Sequence, residues 1–317
     1  MDRALPSEGR GCGFDSRQVR QKTPFTVGSL EKMKVISWNI RWGWGLDDRV
    51  DLDRIVKHLW QFSDFDVLCL QEVVAGYTDP GLKYTDGSDQ FAALEKKLPG
   101  FAAVSGYAVD QLATSGARRR FGNMIFSRYP VLQIYRYRLP WPAEKGVITM
   151  PRMALEAVLD TPSGILRVIT THLEYYSSMQ RMAQVGYLRQ IYQETAAHVP
   201  ITDLNRAGGP FHTYPQTIGT ILAGDFNFTE VSAERELLLS PFDDDTPPFL
   251  DAWQIAHPGK KNVPTMGYFN PDRWPDGPFV ADFMFVSENL AGKVKDIRVD
   301  QESSASDHQA LLLILDM

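Results

Sequence analysis

Apolar runs of strand length recur along the whole 317-residue chain, and this patterning limits its folds more than any other feature. None approaches the ~18–20 residues needed to cross a bilayer, which predicts that no segment is a transmembrane anchor. The longest run, Ala310-Leu-Leu-Leu-Ile-Leu315, is itself of strand length. The chain must therefore build sheets and cover their faces with its own residues. Lys34-Val-Ile-Ser-Trp-Asn39 reads as a strand, and Asp66-Val-Leu-Cys-Leu-Gln71 as another with so little alternation that both its faces should be covered. Between them Leu52, Ile55, Val56, Leu59 and Trp60 fall at helical spacing behind Asp51, whose carboxylate suits an N-cap. Residues 88–98 predict a second helix.

From residue 101 the signal changes to consecutive strands, expected at 101–109, 121–127, 131–139, 153–160 and 165–173, the last two turned by Thr161-Pro-Ser-Gly164. Strands that follow one another without a helix usually pair antiparallel. A long helix is predicted over 179–199, then a polar connection at 200–217, a strand at 218–224, helices at 231–239 and 250–256, and strands at 279–287, 294–300 and 310–316. No Pro/Ser-rich linker divides the halves, so the expectation is one α/β (α+β) domain over 33–317: two packed, mostly antiparallel sheets flanked by helices. Residues 1–32 are rich in Gly, Ser, Arg and Gln, lack the apolar core of a signal peptide, and read as a disordered N-terminal extension.

The chain has 33 Lys+Arg against 39 Asp+Glu, a net charge of −6. Residues 1–32 hold six of the basic and four of the acidic residues, which leaves −8 on 33–317. No protein-wide positive field exists to hold a polyanion by counterion release, so any phosphate must be bound locally. Two cysteines, Cys12 and Cys69, are too few for a disulfide framework, and this favours a reducing compartment. A cytoplasmic monomer is the expectation.

Polar residues that end apolar strands are the chemical anomalies, because a strand end emerges at the rim where sites are built. Six places qualify: Trp38-Asn39, Leu70-Gln-Glu72, Thr171-His172, Gly224-Asp-Phe-Asn227, Ala281-Asp282 and Ser306-Asp-His308. Each alone has a bland explanation as a turn residue, a helix cap or a satisfied core histidine. Together they supply several carboxylates, two imidazoles and three amides, a set that suits Mg²⁺ or Mn²⁺ beside a reacting phosphate, with Glu72 as the main ligand. Zinc is disfavoured by the absence of HExxH or a Cys/His cluster, and serine-hydrolase and nucleotide-cofactor chemistry by the lack of G-x-S-x-G, P-loop or dinucleotide-binding motifs.

In order and spacing these motifs, with Gly122-Asn-Met-Ile-Phe-Ser-Arg128 added, resemble the deoxyribonuclease-I-like endonuclease/exonuclease/phosphatase superfamily over residues 34–316. The resemblance implies a four-layered α/β sandwich that hydrolyses phosphoester bonds with a divalent metal. It also implies residue roles. Glu72 would hold the metal with Asn39 and Asp307; Asp225 would orient or deprotonate the attacking water. Asn227 and His172 would bind the phosphate, and His308, paired with Asp282, would stabilise developing charge or handle a proton. Asn123, Arg41 and Trp42 are the expected substrate contacts.

Departures from the family pattern bear on the substrate. Arg41 stands two positions after Asn39, where the abasic-site endonuclease branch usually has an acidic residue, and Gln309-Ala310 follows the terminal Ser-Asp-His. Trp42, Trp44, Tyr175 and Tyr176 flank the motifs and suit stacking on a base or contact with a lipid. Arg118-Arg-Arg120 reads as a solvated strand edge, and Arg152, Arg181 and Gln184 as structural support for the site. The expected function is a phosphodiesterase or phosphatase acting on a small or lipid-like phosphoester, ahead of a Mg²⁺-dependent nuclease on DNA or RNA and of a catalytically silent binding protein.

Overall fold

Two six-stranded sheets pack face to face in this computed structural model, which describes residues 32–78, 81–114, 116–201, 214–269 and 274–317. Residues 1–31 of the expected extension and 202–213 of the expected connection lie outside the described residues; Lys32 already belongs to the first strand.

Sheet one contains β1 (Lys32–Asn39), β2 (Val67–Ala75), β3 (Ala102–Leu112), β4 (Arg118–Ser127), β11 (Val294–Val299) and β12 (Leu311–Asp316), in the order β11-β12-β1-β2-β4-β3. Sheet two contains β5 (Val131–Arg138), β6 (Met153–Thr161), β7 (Gly164–His172), β8 (Thr220–Asp225), β9 (Phe249–Asp251) and β10 (Asp282–Ser287), in the order β5-β6-β7-β8-β10-β9. The helices are α1 (Leu52–Phe62), α2 (Gln90–Lys97), α3 (Ser178–His198), α4 (Ala233–Leu239) and α5 (Ala252–Ala256).

The period-2 alternation of the strands divides the core into layers. On β1, Met33 and Val35 face sheet two, where they share a cluster with Leu155, Val168 and Ile221; Ile36 and Trp38 face the other way, onto Ile55 and Leu59 of α1 and Phe91 and Leu94 of α2. The far side of sheet two is covered by Val185, Leu188 and Tyr192 of α3, packed on Ile169, Leu222 and Phe285. Burial on both faces explains why the central strands read as continuous apolar runs. Asp51 caps α1 through a hydrogen bond from the Arg54 amide, as its sequence position predicts.

Two expectations shift. The helix expected at 250–256 begins at Ala252, because Phe249–Asp251 pairs with β10 and the Asp251 carboxylate caps α5 by accepting from the Trp253 amide. The strand expected at 279–287 begins at Asp282; Phe279 instead bridges to Met266.

Each sheet holds one parallel pair, β1 with β2 and β7 with β8, and every other pairing is antiparallel. A parallel pair requires a crossover, supplied by α1 in sheet one and by α3 in sheet two. Both strands of each pair then end at the same rim, and open sheets bind ligands beyond the carboxyl ends of their parallel strands. Among the described residues no helix is long and apolar enough to cross a membrane.

Candidate active site

Two irregularities in sheet one start the site. β1 and β2 run in register with Asn39 opposite Gln71, but the pairing of β2 with β4 slips between Leu70 and Val73. This bulge holds Glu72 at φ 59°, a conformation that costs a non-glycine residue of order 1–3 kcal/mol, and re-aims its carboxylate into a cavity. Asn39, fully buried at the end of β1, fixes the result. Its amide nitrogen donates to Glu72 Oε1 at 3.2 Å and to Asp225 Oδ2 at 2.9 Å, while its Oδ1 accepts the Arg41 backbone N–H at 3.0 Å. Arg41 and Trp42 follow at φ 46° and 43°, so three strained residues cluster at this edge.

Sheet two supplies a regular row. His172, Asp225 and Asp282 are direct register partners on β7, β8 and β10. His172 Nε2 lies 3.4 Å from Asp225 Oδ2 and 3.9 Å from Glu72 Oε1. The strands approach so closely that a Cβ on Gly224 would sit 2.0 Å from the Thr171 carbonyl oxygen, and φ 149° there also requires glycine. Asn227, at φ 51°, donates its backbone N–H to Asp225 Oδ1 at 3.0 Å and its side-chain amide to the Leu173 carbonyl at 3.0 Å.

His308, in the turn before β12, crosses between the sheets. Its Nδ1 is 2.9 Å from Asp282 Oδ2 and its Nε2 3.7 Å from Asp225 Oδ2. Thr265 donates its hydroxyl to the same Asp282 oxygen at 2.7 Å, Trp38 Nε1 donates to the His308 carbonyl at 2.9 Å, and Ser306 Oγ donates to the Asn39 carbonyl at 2.8 Å. The proton positions of this histidine therefore answer to a carboxylate that is itself held in place.

Burial dominates the electrostatics. It pushes the Asp225 carboxyl up to about 7, with Asp282 and Glu72 adding to the rise and His308 and the Asn39 hydrogen bond opposing it. It also raises Glu72, helped by the nearby Asp307 charge. Burial lowers His172 well below the ordinary imidazole value, and Arg152 and His308 lower it further, so this ring is neutral at pH 7. Burial works against the cation of His308 too, but Asp282 and Asp225 more than offset it and hold this imidazole well above its ordinary value. One histidine is kept neutral and the other charged, their Nε2 atoms 3.4 and 3.7 Å from the same Asp225 oxygen.

Residues 36–308 match the endonuclease/exonuclease/phosphatase family. The chain belongs to that family. No curated protein matches it by sequence. Among solved structures, an endonuclease/exonuclease/phosphatase from Beutenbergia cavernae is similar with a TM-score of 0.63 at 22% identity, over 90% of this chain and 72% of that one. A mannosyl-6-phosphatase from Bacteroides thetaiotaomicron gives 0.59 at 15% identity over 89% and 99%, and the human nocturnin catalytic domain 0.58 at 19% over 89% and 93%. At these identities the likeness is one of fold. Members of the endonuclease/exonuclease/phosphatase family are generally hydrolases of phosphoester bonds and are typically metal-dependent.

The cavity, about 630 Å³, is lined by eight of the expected catalytic, metal and substrate residues, Arg41, Trp42, Glu72, His172, Asp225, Asn227, Asp307 and His308, and by the flanking Trp44, Tyr175 and Tyr176. Asn39 and Asp282 stand behind this lining and act on it through the hydrogen bonds described above. Asn123 is not a lining residue; it is buried in β4 opposite Gly106, and its amide nitrogen has no hydrogen-bond partner. Arg41 is engaged by the protein itself, with Nε 3.3 Å from Asp307 Oδ2 and its guanidinium 3.5 Å from the Trp44 ring centroid.

Two positions at the candidate site were not legible as such. Thr265 lies outside every motif and only the tertiary structure brings its hydroxyl to Asp282. Arg152, expected as support, does pair with Glu174 at 3.2 Å, but it also lines the cavity, and its buried Nη1 has no hydrogen-bond partner. Its place before β6 was the available signal. Arg181 and Gln184 are supports, bonding the Glu174 backbone.

Glu72, His172 and Asp225 place one donor atom each within 4.8 Å of one another, and Asp225, Asp282 and His308 do the same. The set at the cavity is rich in hard carboxylate oxygen, and burial raises Glu72 and Asp225, so a divalent cation fits the family site chemically.

Proposed function

We propose that the chain is a divalent-metal-dependent phosphoester hydrolase acting on a small or lipid-like phosphoester in preference to nucleic acid. The observation that carries this reading is the convergence of Glu72, Asp225, His172 and the Asp282–His308 pair on one cavity from two different sheets. Glu72 and Asp307 would hold Mg²⁺ or Mn²⁺, with Asn39 steering the Glu72 carboxylate. When bound, the ion supplies positive charge to the phosphoryl oxygens.

The remaining steps belong to the chain's own residues. Asp225, with its carboxyl near 7, orients the attacking water and accepts its proton close to neutrality. In-line attack spreads negative charge over the equatorial oxygens, where neutral His172, the Asn227 amide and the Arg152 guanidinium donate. His308, held cationic by Asp282, donates to the oxygen of the leaving group. The charge of −8 on 33–317 and the use of Arg41 by Asp307 both favour a compact substrate over a polyanion.

The test is turnover of bis(p-nitrophenyl) phosphate, several phosphomonoesters, supercoiled DNA and abasic-site DNA, with Mg²⁺, Mn²⁺ or EDTA. Metal-dependent turnover of the small esters, lost in Asp225→Asn and His308→Ala, is expected. Turnover that survives both substitutions overturns the reading; Mg²⁺ binding without turnover on any ester would favour a silent binding protein.

A further inference from the structure

Arg152 is a cavity-lining cation that the protein buries almost completely, with 6% of the residue exposed. It follows Pro151 into β6, and its backbone carbonyl accepts the Leu139 N–H at 3.0 Å. Its Nε donates to Glu174 Oε2 at 3.2 Å, while its Nη1 is buried and has no hydrogen-bond partner. A buried donor left unmade is costly, so this nitrogen calls for an acceptor. Its charge acts on residues from both sheets: it adds to burial in lowering the His172 imidazole, and it is among the groups that oppose burial at Glu72.

Glu174 holds this guanidinium from behind. The carboxylate is 1% exposed and is not part of the cavity lining, so it is neither a base nor a ligand for a substrate. One oxygen takes Arg152 Nε, and the other accepts the Tyr176 backbone N–H at 3.0 Å. The Glu174 backbone is gripped as well: its N–H donates to Gln184 Oε1 at 2.9 Å, and its carbonyl accepts from Arg181 Nη1 at 3.0 Å. Arg181 Nε then donates to Glu234 Oε1 at 3.1 Å, on α4. A hydrogen-bonded chain therefore runs from β6 through the entry of α3 to α4.

Buried ion pairs add little stability over apolar packing of the same volume, so stability alone does not account for this arrangement. What the chain does give is direction. The guanidinium is planar, and fixing Nε fixes where its remaining N–H groups point. Arg152 and Glu174 also cancel in net charge, so the contact works over the last few ångströms and not by long-range attraction, in keeping with −8 on 33–317.

We infer that Glu174 is a positioning residue, which fixes the Arg152 guanidinium so that its unpartnered Nη1 meets a phosphoryl oxygen. The inference rests on the hydrolase reading above for the identity of the anion, and on the bonds of Arg152 and Glu174 for the geometry. Tyr176, at the mouth of the cavity, is tied to the same carboxylate, which joins the rim and the phosphate contact in one unit.

The experiment uses the full chain with Mg²⁺ and two readouts: calorimetric binding of inorganic phosphate, and kcat/KM on p-nitrophenyl phosphate and bis(p-nitrophenyl) phosphate. Arg152→Met is expected to weaken phosphate binding and lower kcat/KM by roughly 10²-fold. Glu174→Gln keeps the shape but loses the charge and one acceptor, and should weaken both by about tenfold. In the Arg152→Met background Glu174→Gln should change neither readout, because it acts through Arg152; a merely structural Glu174 would lower both in either background. Arg152→Lys tests the same geometry without touching Glu174: it keeps the charge but not the planar fork, and about a tenfold loss of phosphate affinity is expected. Phosphate affinity of Glu174→Gln or Arg152→Lys equal to wild type overturns the inference, as do an additive loss in the Arg152→Met background and a wild type that binds no phosphate. Should wild type turn over the esters while these losses are missing, the hydrolase reading stands and the positioning role falls. Losses of phosphate binding in a chain that turns over no ester would leave the positioning role intact and overturn the hydrolase.

Discussion

Sheet one and sheet two build their halves of the site in opposite ways. Sheet two does it with regularity: His172, Asp225 and Asp282 are register partners on three adjacent strands, and ladder pairing aligns the row. Sheet one does it with distortion: Glu72 is turned out by a bulge, and Arg41 and Trp42 sit at positive φ in the turn after β1. The lesson is that a site can be half inherited from a sheet and half made against it, and that the strained half is tied to the regular one. Asn39 provides that tie by holding Glu72 and Asp225 with one amide.

If both halves are required, removing one group from either should be comparably severe. Asp225→Asn and Glu72→Gln are each expected to lower kcat on bis(p-nitrophenyl) phosphate by ~10²–10³, about 2.7–4 kcal/mol. A variant within threefold of wild type would break the symmetry and assign the chemistry to the other sheet.

The pair that joins the halves gives a sharper test. Asp282 holds the His308 imidazole well above its ordinary pKa, so in wild type the ring stays charged as pH rises. Asp282→Asn removes that anion and lets the pKa fall; the charged form is then lost earlier. The alkaline limb of the pH profile of kcat/KM should move to lower pH, with roughly 10²-fold lower kcat. A limb that stays in place would remove His308 from the chemistry.

Smaller effects probe the contact between sheets below the site. Gln71 Nε2 donates to Thr170 Oγ1 at 2.8 Å and to Ser37 Oγ at 3.2 Å, a buried bond from sheet one to sheet two. Gln71→Leu should cost about 1–3 kcal/mol of stability, read from the midpoint of urea unfolding, because two buried hydroxyls lose their donor. The smallest effect is a null one. Cys69 lies between the sheets with its thiol pushed up to about 12 by burial, so in a Cys12→Ser chain at pH 8 a thiol reagent should find nothing until denaturant is added. Reaction in the native protein would mean that the sheets separate readily.

Much of this was written in the order of residues. The Asp51 cap, the two-sided burial of β2 and the polar ends of β7 and β8 follow from local patterns, and so do the carboxylates and imidazoles that end on one cavity. The start of β10 was not legible, because Phe279 and Val280 are as apolar as a strand and only the pairing of Phe279 with Met266 excludes them. Asp251 misled for a related reason: it is at once the last residue of a strand and the cap of a helix.

The layers and the inventory of the site follow from residue order, since hydrophobic period and residue chemistry are local properties. Packing set how that inventory is used. It put Arg41 on Asp307 instead of in open solvent, brought Thr265 to Asp282, left Asn123 behind the cavity wall, and made one histidine neutral and the other charged. These outcomes depend on distances between residues far apart in the chain and on how deeply each is buried, and neither quantity exists until the two sheets have packed.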